Sequence, residues 1–337
     1  MADPILIWGA GAIGGTLGAY WARAGHDVLL VDKDADHVAA MNATGLAIEG
    51  PVEEFRQAVK AALPSGVTGR FRRVVLAVKA HHTEEAARQL LPHLADDGFV
   101  LSAQNGLNEL VIARIVGERR TMGCFVNFGA DYLAPGRIMR GNRAAVVVGE
   151  IDGSLTDRVK DMHALLREFE PDAVLTTDIW AYLWGKLGYG ALLFGTALTN
   201  ESIADALASP RHLPVYRQLG NEVMAVAAAR GVTPMGFNGF DPVAFAPGGD
   251  PSALQASIDA MVTFNRGSAK SHSGIWRDLA VRKRRTEVDA QIGIIASTGR
   301  ELGVATPALE RLVALIHTIE DGERPLDWST LDAMLEA

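Results

Sequence analysis

Six residues near the start of the chain have the types and spacing to hold a pyrophosphate. Gly9-Ala10-Gly11-Ala12-Ile13-Gly14 follow directly on the apolar run Ile5-Leu6-Ile7-Trp8. The run reads as a buried strand and residues 11–23 as a helix, which supplies the context that a bare GxGxxG lacks. Gly9 permits a tight turn, Gly11 lets a phosphate approach the backbone, and Gly14 lets the helix pack on the strand. The helix end offers N–H groups and a partial positive charge. Asp32 closes the second predicted strand, where a carboxylate can accept from the two ribose hydroxyls. A carboxylate there repels a 2′-phosphate and favours NAD. Lys33 beside it offsets that repulsion, so NADP stands as the alternative.

Other polar residues fall at strand ends, where open parallel sheets bind ligands. Lys79 follows the strand 74–78, and Gln104-Asn105-Gly106 follow the strand 99–102. Lys79, Gln104 and Asn105 are therefore candidate cofactor contacts. Adjacent His81 and His82 point apart on any regular element, and no metal site is expected. In the second half, Lys186 is the one charged residue in Trp180-Ala181-Tyr182-Leu183-Trp184-Gly185-Lys186-Leu187-Gly188-Tyr189-Gly190. A lysine on so apolar a helix is costly to bury unless it is paired or its pKa falls, and a lowered pKa suits a general acid. Arg285-Thr286-Glu287-Val288-Asp289 is the second charged segment, placed by its periodicity inside one long helix over 273–302.

The elements that must carry these residues divide at about residue 178. The first part alternates short strands with helices at 11–23, 35–42, 83–94 and 107–116. That grammar predicts an α/β Rossmann-like domain, residues 1–177, with a mainly parallel sheet. Residues 137–139 and 144–148 read as a hairpin turned at Gly141-Asn142. Strand signals then stop, and apolar periodicity over 179–198, 213–229, 253–265, 273–302 and 307–319 predicts an all-α domain, residues 178–337. Residues 236–249 read as a loop. A net charge of -8 argues against nucleic acid. Arg282-Lys283-Arg284-Arg285 reads as a solvated helix face. The one cysteine, Cys124, excludes an internal disulfide. No run of about 18 apolar residues predicts a membrane span, and the first residues lack the pattern of a signal peptide. The cytoplasm is the expected compartment.

The ordered motifs Gly9-x-Gly11-x-x-Gly14, Val78-Lys79-Ala80, Gln104-Asn105-Gly106, Trp184-x-Lys186-Leu187 and Thr286-Glu287-Val288-Asp289 give the chain its resemblance to the ketopantoate reductase family, across nearly its full length. The resemblance implies that Lys186 is the general acid at the substrate carbonyl. Glu287 holds a substrate hydroxyl or orients Lys186, Asn105 positions substrate and nicotinamide, and Lys79 touches the cofactor. It also implies NADPH, against the reading of Asp32. The family lysine is followed by asparagines four and eight residues on; here those positions are Gly190 and Phe194. Ser273 is kept, a second serine is Gly274, and His272, Trp276 and Arg277 are added. Gly190, Phe194, Ser273, Trp276 and Arg277 are thus candidate substrate contacts, and Arg277 suits a carboxylate.

These readings predict a nicotinamide-dependent oxidoreductase acting on a small keto acid or ketone, bulkier or less polar than ketopantoate. A dehydrogenase of a 3-hydroxy acid or opine on the same plan, and a non-catalytic nucleotide sensor, are the alternatives. Helical second domains of this kind often pair, so a homodimer through the helical part is the expected assembly.

Overall fold

The structure is a computed structural model, and it describes residues 3–267 and 271–336. The chain divides into two compact units, Met1–Ile179 and Trp180–Ala337.

Among the described residues the first unit holds twelve strands. They are β1 Ile5–Trp8, β2 Val28–Val31, β3 Leu46–Glu49, β4 Phe55–Gln57, β5 Lys60–Ala62, β6 Phe71–Leu76, β7 Leu94–Ser102, β8 Thr121–Val126, β9 Gly129–Ala134, β10 Arg137–Asn142, β11 Val146–Glu150 and β12 Val174–Leu175. An eight-stranded sheet runs β12-β11-β8-β7-β6-β1-β2-β5. Its pairs are parallel except β8 with β11. Helices α1 Ala12–Arg23, α2 Ala35–Thr44, α3 Thr83–Leu90, α4 Asn108–Val116 and α5 Asp157–Phe169 complete the unit. Successive side chains of β1 feed opposite cores. Ile5 and Ile7 join Leu17 and Trp21 of α1, and Leu6 and Trp8 join Ala87 and Leu90 of α3. A strand covered on both faces has no polar alternation, hence the unbroken apolar run.

A smaller sheet runs β4-β3-β10-β9. It corrects the expected hairpin. Residues 137–139 belong to β10, whose antiparallel partner is β9, whereas Val146–Glu150 enters the large sheet beside β8. Pro135-Gly136 makes the turn instead, with Gly136 at φ 72°. Gly141 and Asn142 stay in the strand, and the Asn142 side chain accepts from the Gly129 N–H at 2.8 Å.

The second unit is helical. It comprises α6 Ile179–Thr196, α7 Ile203–Leu207, α8 Leu213–Ala229, α9 Pro242–Phe245, α10 Pro251–Arg266, α11 Gly274–Trp276, α12 Ile294–Leu302, α13 Pro307–Glu320 and α14 Trp328–Asp332. Trp184, Phe194, Tyr216 and Phe245 fill its core. Glu222, 3% exposed, reaches from α8 to accept the first N–H groups of α13, those of Ala308 and Leu309, at 3.0 and 2.9 Å. A buried carboxylate is stable there because it meets the positive end of a helix.

The expected single helix over 273–302 is broken. A π-helical turn, Arg277–Val281, precedes residues 282–287, which are not helical, and a second π-helical turn, Asp289–Gly293, restarts the helix. Lys283 takes φ 49°. Charge explains the break. Asp278, buried, draws in Arg282 and Arg284 at 3.0 and 2.9 Å, and Arg285 pairs with Glu320 and Asp321 of the α13 end. The basic run is therefore an ion-paired turn, not a solvated helix face. Among the described residues no helix is long and apolar enough to cross a membrane.

Candidate active site

In the first unit the glycine loop joins the carboxyl end of β1 to α1, and each glycine meets a different demand. Gly9 takes φ 103°, and a Cβ there would lie 2.7 Å from the Ala77 carbonyl carbon. A Cβ at Gly14 would collide with the Gly9 carbonyl oxygen, so α1 can approach β1 only because Gly14 has no side chain. A Cβ at Gly11 would meet nothing within 4 Å. Space is kept over Gly11 although the protein itself does not use it. No side chain caps α1 and no acid lies in its first turn, whereas α2 is capped by Asp34, which accepts from the Asp36 and His37 N–H groups. Open space over an uncapped, glycine-built helix start fits a dinucleotide pyrophosphate.

The loop is held from two sides. The Asp32 carboxylate accepts from Ala10 N–H and from Asp34 N–H, each at 3.0 Å. His37, fully buried, lies 2.9 Å from the Ala10 carbonyl through Nε2, and its Nδ1 accepts from Gly136 N–H at 2.9 Å. An accepting Nδ1 leaves Nε2–H to donate, so the ring is neutral. His37 escaped the sequence analysis: a lone histidine on a helix carries no signal of a partner 99 residues away. Tyr132 of β9 packs edge-on against His37 and donates to Asp34 at 3.2 Å. Burial, with Asp34 beside it, pushes the Tyr132 hydroxyl up to about 12.

The neighbouring strand ends lie along the same edge of the sheet. Leu76 of β6 pairs with Ser102 of β7, and Lys79 and Asn105 stand three residues beyond each, both exposed. Gln104 does not present itself to a ligand. It is 5% exposed, and its amide donates to the Val78 carbonyl and to Thr83 Oγ1, each at 2.8 Å. It ties two strand ends together and positions Asn105. Lys33 is exposed, with Nζ 3.0 Å from His82 Nε2. Burial, His81 and Lys33 hold the His82 pKa below its ordinary value, so the ring accepts from Lys33 as a neutral imidazole.

In the second unit α6 is almost wholly enclosed. Past its first turn its half-buried positions are Tyr182, Lys186, Gly190 and Leu193. Spacings of four and three residues put these on one accessible stripe, and the lone charge of the helix lies on it. A Cβ at Gly190 would meet nothing within 4 Å, and space stands open one turn beyond Lys186. Phe194 corrects the sequence analysis: it is 0% exposed and belongs to the core. Eight residues turn a helix by roughly 80° from alignment, seven by only about 20°, so the stripe continues through Leu193.

Glu287 is half-buried where the helix restarts, and its carbonyl accepts from Gln291 N–H at 3.0 Å. Ser273, 4% exposed, is a helix cap that accepts from Trp276 N–H at 3.1 Å, not an open substrate contact. Trp276 and Arg277 are half-buried. The Trp276 ring packs 4.0 Å from that of His272 and donates to Asn200 Oδ1 at 3.0 Å. Asn200, four residues past α6, was not foreseen. Gly274 is exposed, and a Cβ there would meet nothing within 4 Å.

Comparison with known proteins identifies the family of the chain. Residues 5–153 match the family described as "Ketopantoate reductase PanE/ApbA", and residues 178–320 match its C-terminal family. The 2-dehydropantoate 2-reductase of Mesorhizobium japonicum is 28% identical, over 94% of this chain and 97% of its own. That of Archaeoglobus fulgidus is 27% identical, over 94% and 98%. A solved ketopantoate reductase of this family from Ralstonia eutropha superposes with a TM-score of 0.79 at 28% identity, covering 95% of this chain and 99% of that one. D-mandelate dehydrogenase, solved with NADH and anilino(oxo)acetate, shares the fold with a TM-score of 0.80 at 22% identity, covering 95% and 99%. The chain belongs to the ketopantoate reductase family and is an NAD(P)-dependent oxidoreductase acting on CH–OH and C=O groups.

Proposed function

We propose that the protein interconverts a small 2-keto acid or ketone and its alcohol, with Lys186 as the general acid. The observation that carries this reading is the α6 stripe. One ammonium group lies on the accessible stripe of an apolar helix, beside the open position Gly190. When bound, the dinucleotide supplies or takes up a hydride. Lys186 Nζ gives a proton to the carbonyl oxygen in reduction and receives it back in oxidation, so no free alkoxide forms. Glu287 holds a substrate hydroxyl or orients Lys186, and Asn105 positions substrate and ring. Gly9, Ala10, Gly11, Ala12, Ile13 and Gly14 cradle the pyrophosphate.

NAD is the proposed cofactor. Asp32 supports it, because a carboxylate fixed at the end of β2 accepts hydrogen bonds from ribose hydroxyls and repels a 2′-phosphate. The open positions Gly190 and Gly274 support a substrate bulkier than ketopantoate. Trp276 and Arg277 are the proposed substrate contacts, with Arg277 suited to a carboxylate. The test is a panel of ketopantoate, phenylglyoxylate and simple ketones with NADH and with NADPH. NADH-linked reduction of the bulkier keto acid supports the reading. Turnover confined to ketopantoate contradicts the substrate assignment, and NADPH binding about tenfold tighter than NADH contradicts that of Asp32.

A further inference from the structure

Glu287 is flanked on both sides by residues tied to one charged cluster on α13. Glu320, its side chain 1% exposed, accepts from the Thr286 N–H at 2.7 Å and from the Thr286 hydroxyl at 2.8 Å. It also receives Arg285 Nη1 at 2.9 Å and His317 Nδ1 at 2.8 Å. The other ring nitrogen of His317, Nε2, lies 3.0 Å from Asp289 Oδ1, at the first residue of the π-helical turn. An ionised carboxylate only accepts, so both ring nitrogens must donate and the ring must be an imidazolium. Arg285 Nη1, 3.5 Å from Nδ1, opposes that charge, and Asp321 partly neutralises Arg285 at 2.6 Å.

We propose that Glu320 and the His317 imidazolium are positioning residues, which fix Thr286 on one side and Asp289 on the other and so set the place of the Glu287 carboxylate. The proposal rests on the reading that Glu287 acts on substrate or on Lys186. Burial works against the charge on His317, but Glu320 and Asp289 outweigh it and hold the imidazole pKa above its ordinary value. The clamp is therefore complete at low pH and is lost as pH rises through that raised pKa.

Hydrogen exchange of the full-length protein, followed on peptides spanning 282–293 from about pH 5.5 to about pH 9 and corrected for intrinsic rates, reads the clamp without a substrate. Protection in the wild type is expected to fall by about tenfold across that range. His317→Gln is expected to be low and flat, with the peptides of α8 unchanged. Glu320→Gln keeps an acceptor for Thr286 and is expected to fall between. Equal, pH-independent protection in wild type and His317→Gln overturns the clamp. With whichever of ketopantoate or phenylglyoxylate is turned over, His317→Gln is expected to lower kcat by about tenfold and to remove the part of its alkaline fall that tracks His317, leaving the fall that Lys186 itself causes, with dinucleotide KM unchanged. An unaltered kcat in His317→Gln beside a large loss in Glu287→Gln overturns the clamp alone. Full activity in Glu287→Gln contradicts the role of Glu287, and with it the functional half of the proposal.

Discussion

The glycine loop of the first unit and the α6–Glu287 region of the second solve the same problem by different means. The loop is positioned by backbone. Gly9, Gly11 and Gly14 set its path, and Asp32 and His37 hold the N–H and carbonyl of Ala10. The second region is positioned by side chains. Lys186 owes its place to a helix whose other faces are buried, and Glu287 owes its place to a helix broken by ion pairs. Backbone geometry is written in short, contiguous motifs. Side-chain clusters gather residues that lie far apart in the chain, such as Arg285 with Glu320 and His317 with Asp289.

The contrast can be broken or sharpened by substitution. The largest effect on stability is expected at Gly14→Ala, whose Cβ would meet the Gly9 carbonyl. Overpacking against backbone costs about 3 kcal/mol, and thermal melting should show it even without ligand. Glu287→Gln is expected to leave melting unchanged and to lower kcat by about 10²-fold, as steady-state kinetics would show. Gly11→Ala, whose Cβ would meet no protein atom within 4 Å, should melt like the wild type yet bind dinucleotide about tenfold more weakly by fluorescence titration. The smallest effect is expected at Phe194→Leu, a core change of about 1 kcal/mol. Substrate KM should not move, whereas a rise in KM would restore Phe194 to the substrate site.

Much of the first unit was legible because local rules agree there. An apolar run, three spaced glycines and a carboxylate at the next strand end each follow from short-range sterics. The misplaced hairpin shows the limit of such rules. Gly141-Asn142 has turn chemistry, but Pro135-Gly136 has it too, and the pairing of β10 with both β3 and β9 decides between them. In the second unit helix positions followed from periodicity, yet the break at 282–287 did not. Helical spacing continues through that segment, and only buried Asp278 and Glu320 reveal why the backbone leaves the helix. Phe194 was misassigned for a simpler reason, since small angular errors accumulate over two turns.

The central claim is that the Lys186 ammonium supplies the proton. Its most direct test is Lys186→Ala, measured for kcat/KM on the best carbonyl substrate and for dinucleotide Kd in the same preparation. The account predicts a loss of about 10³-fold in kcat/KM, with Kd within about twofold of the wild type. A variant that keeps more than about a tenth of wild-type kcat/KM would contradict it.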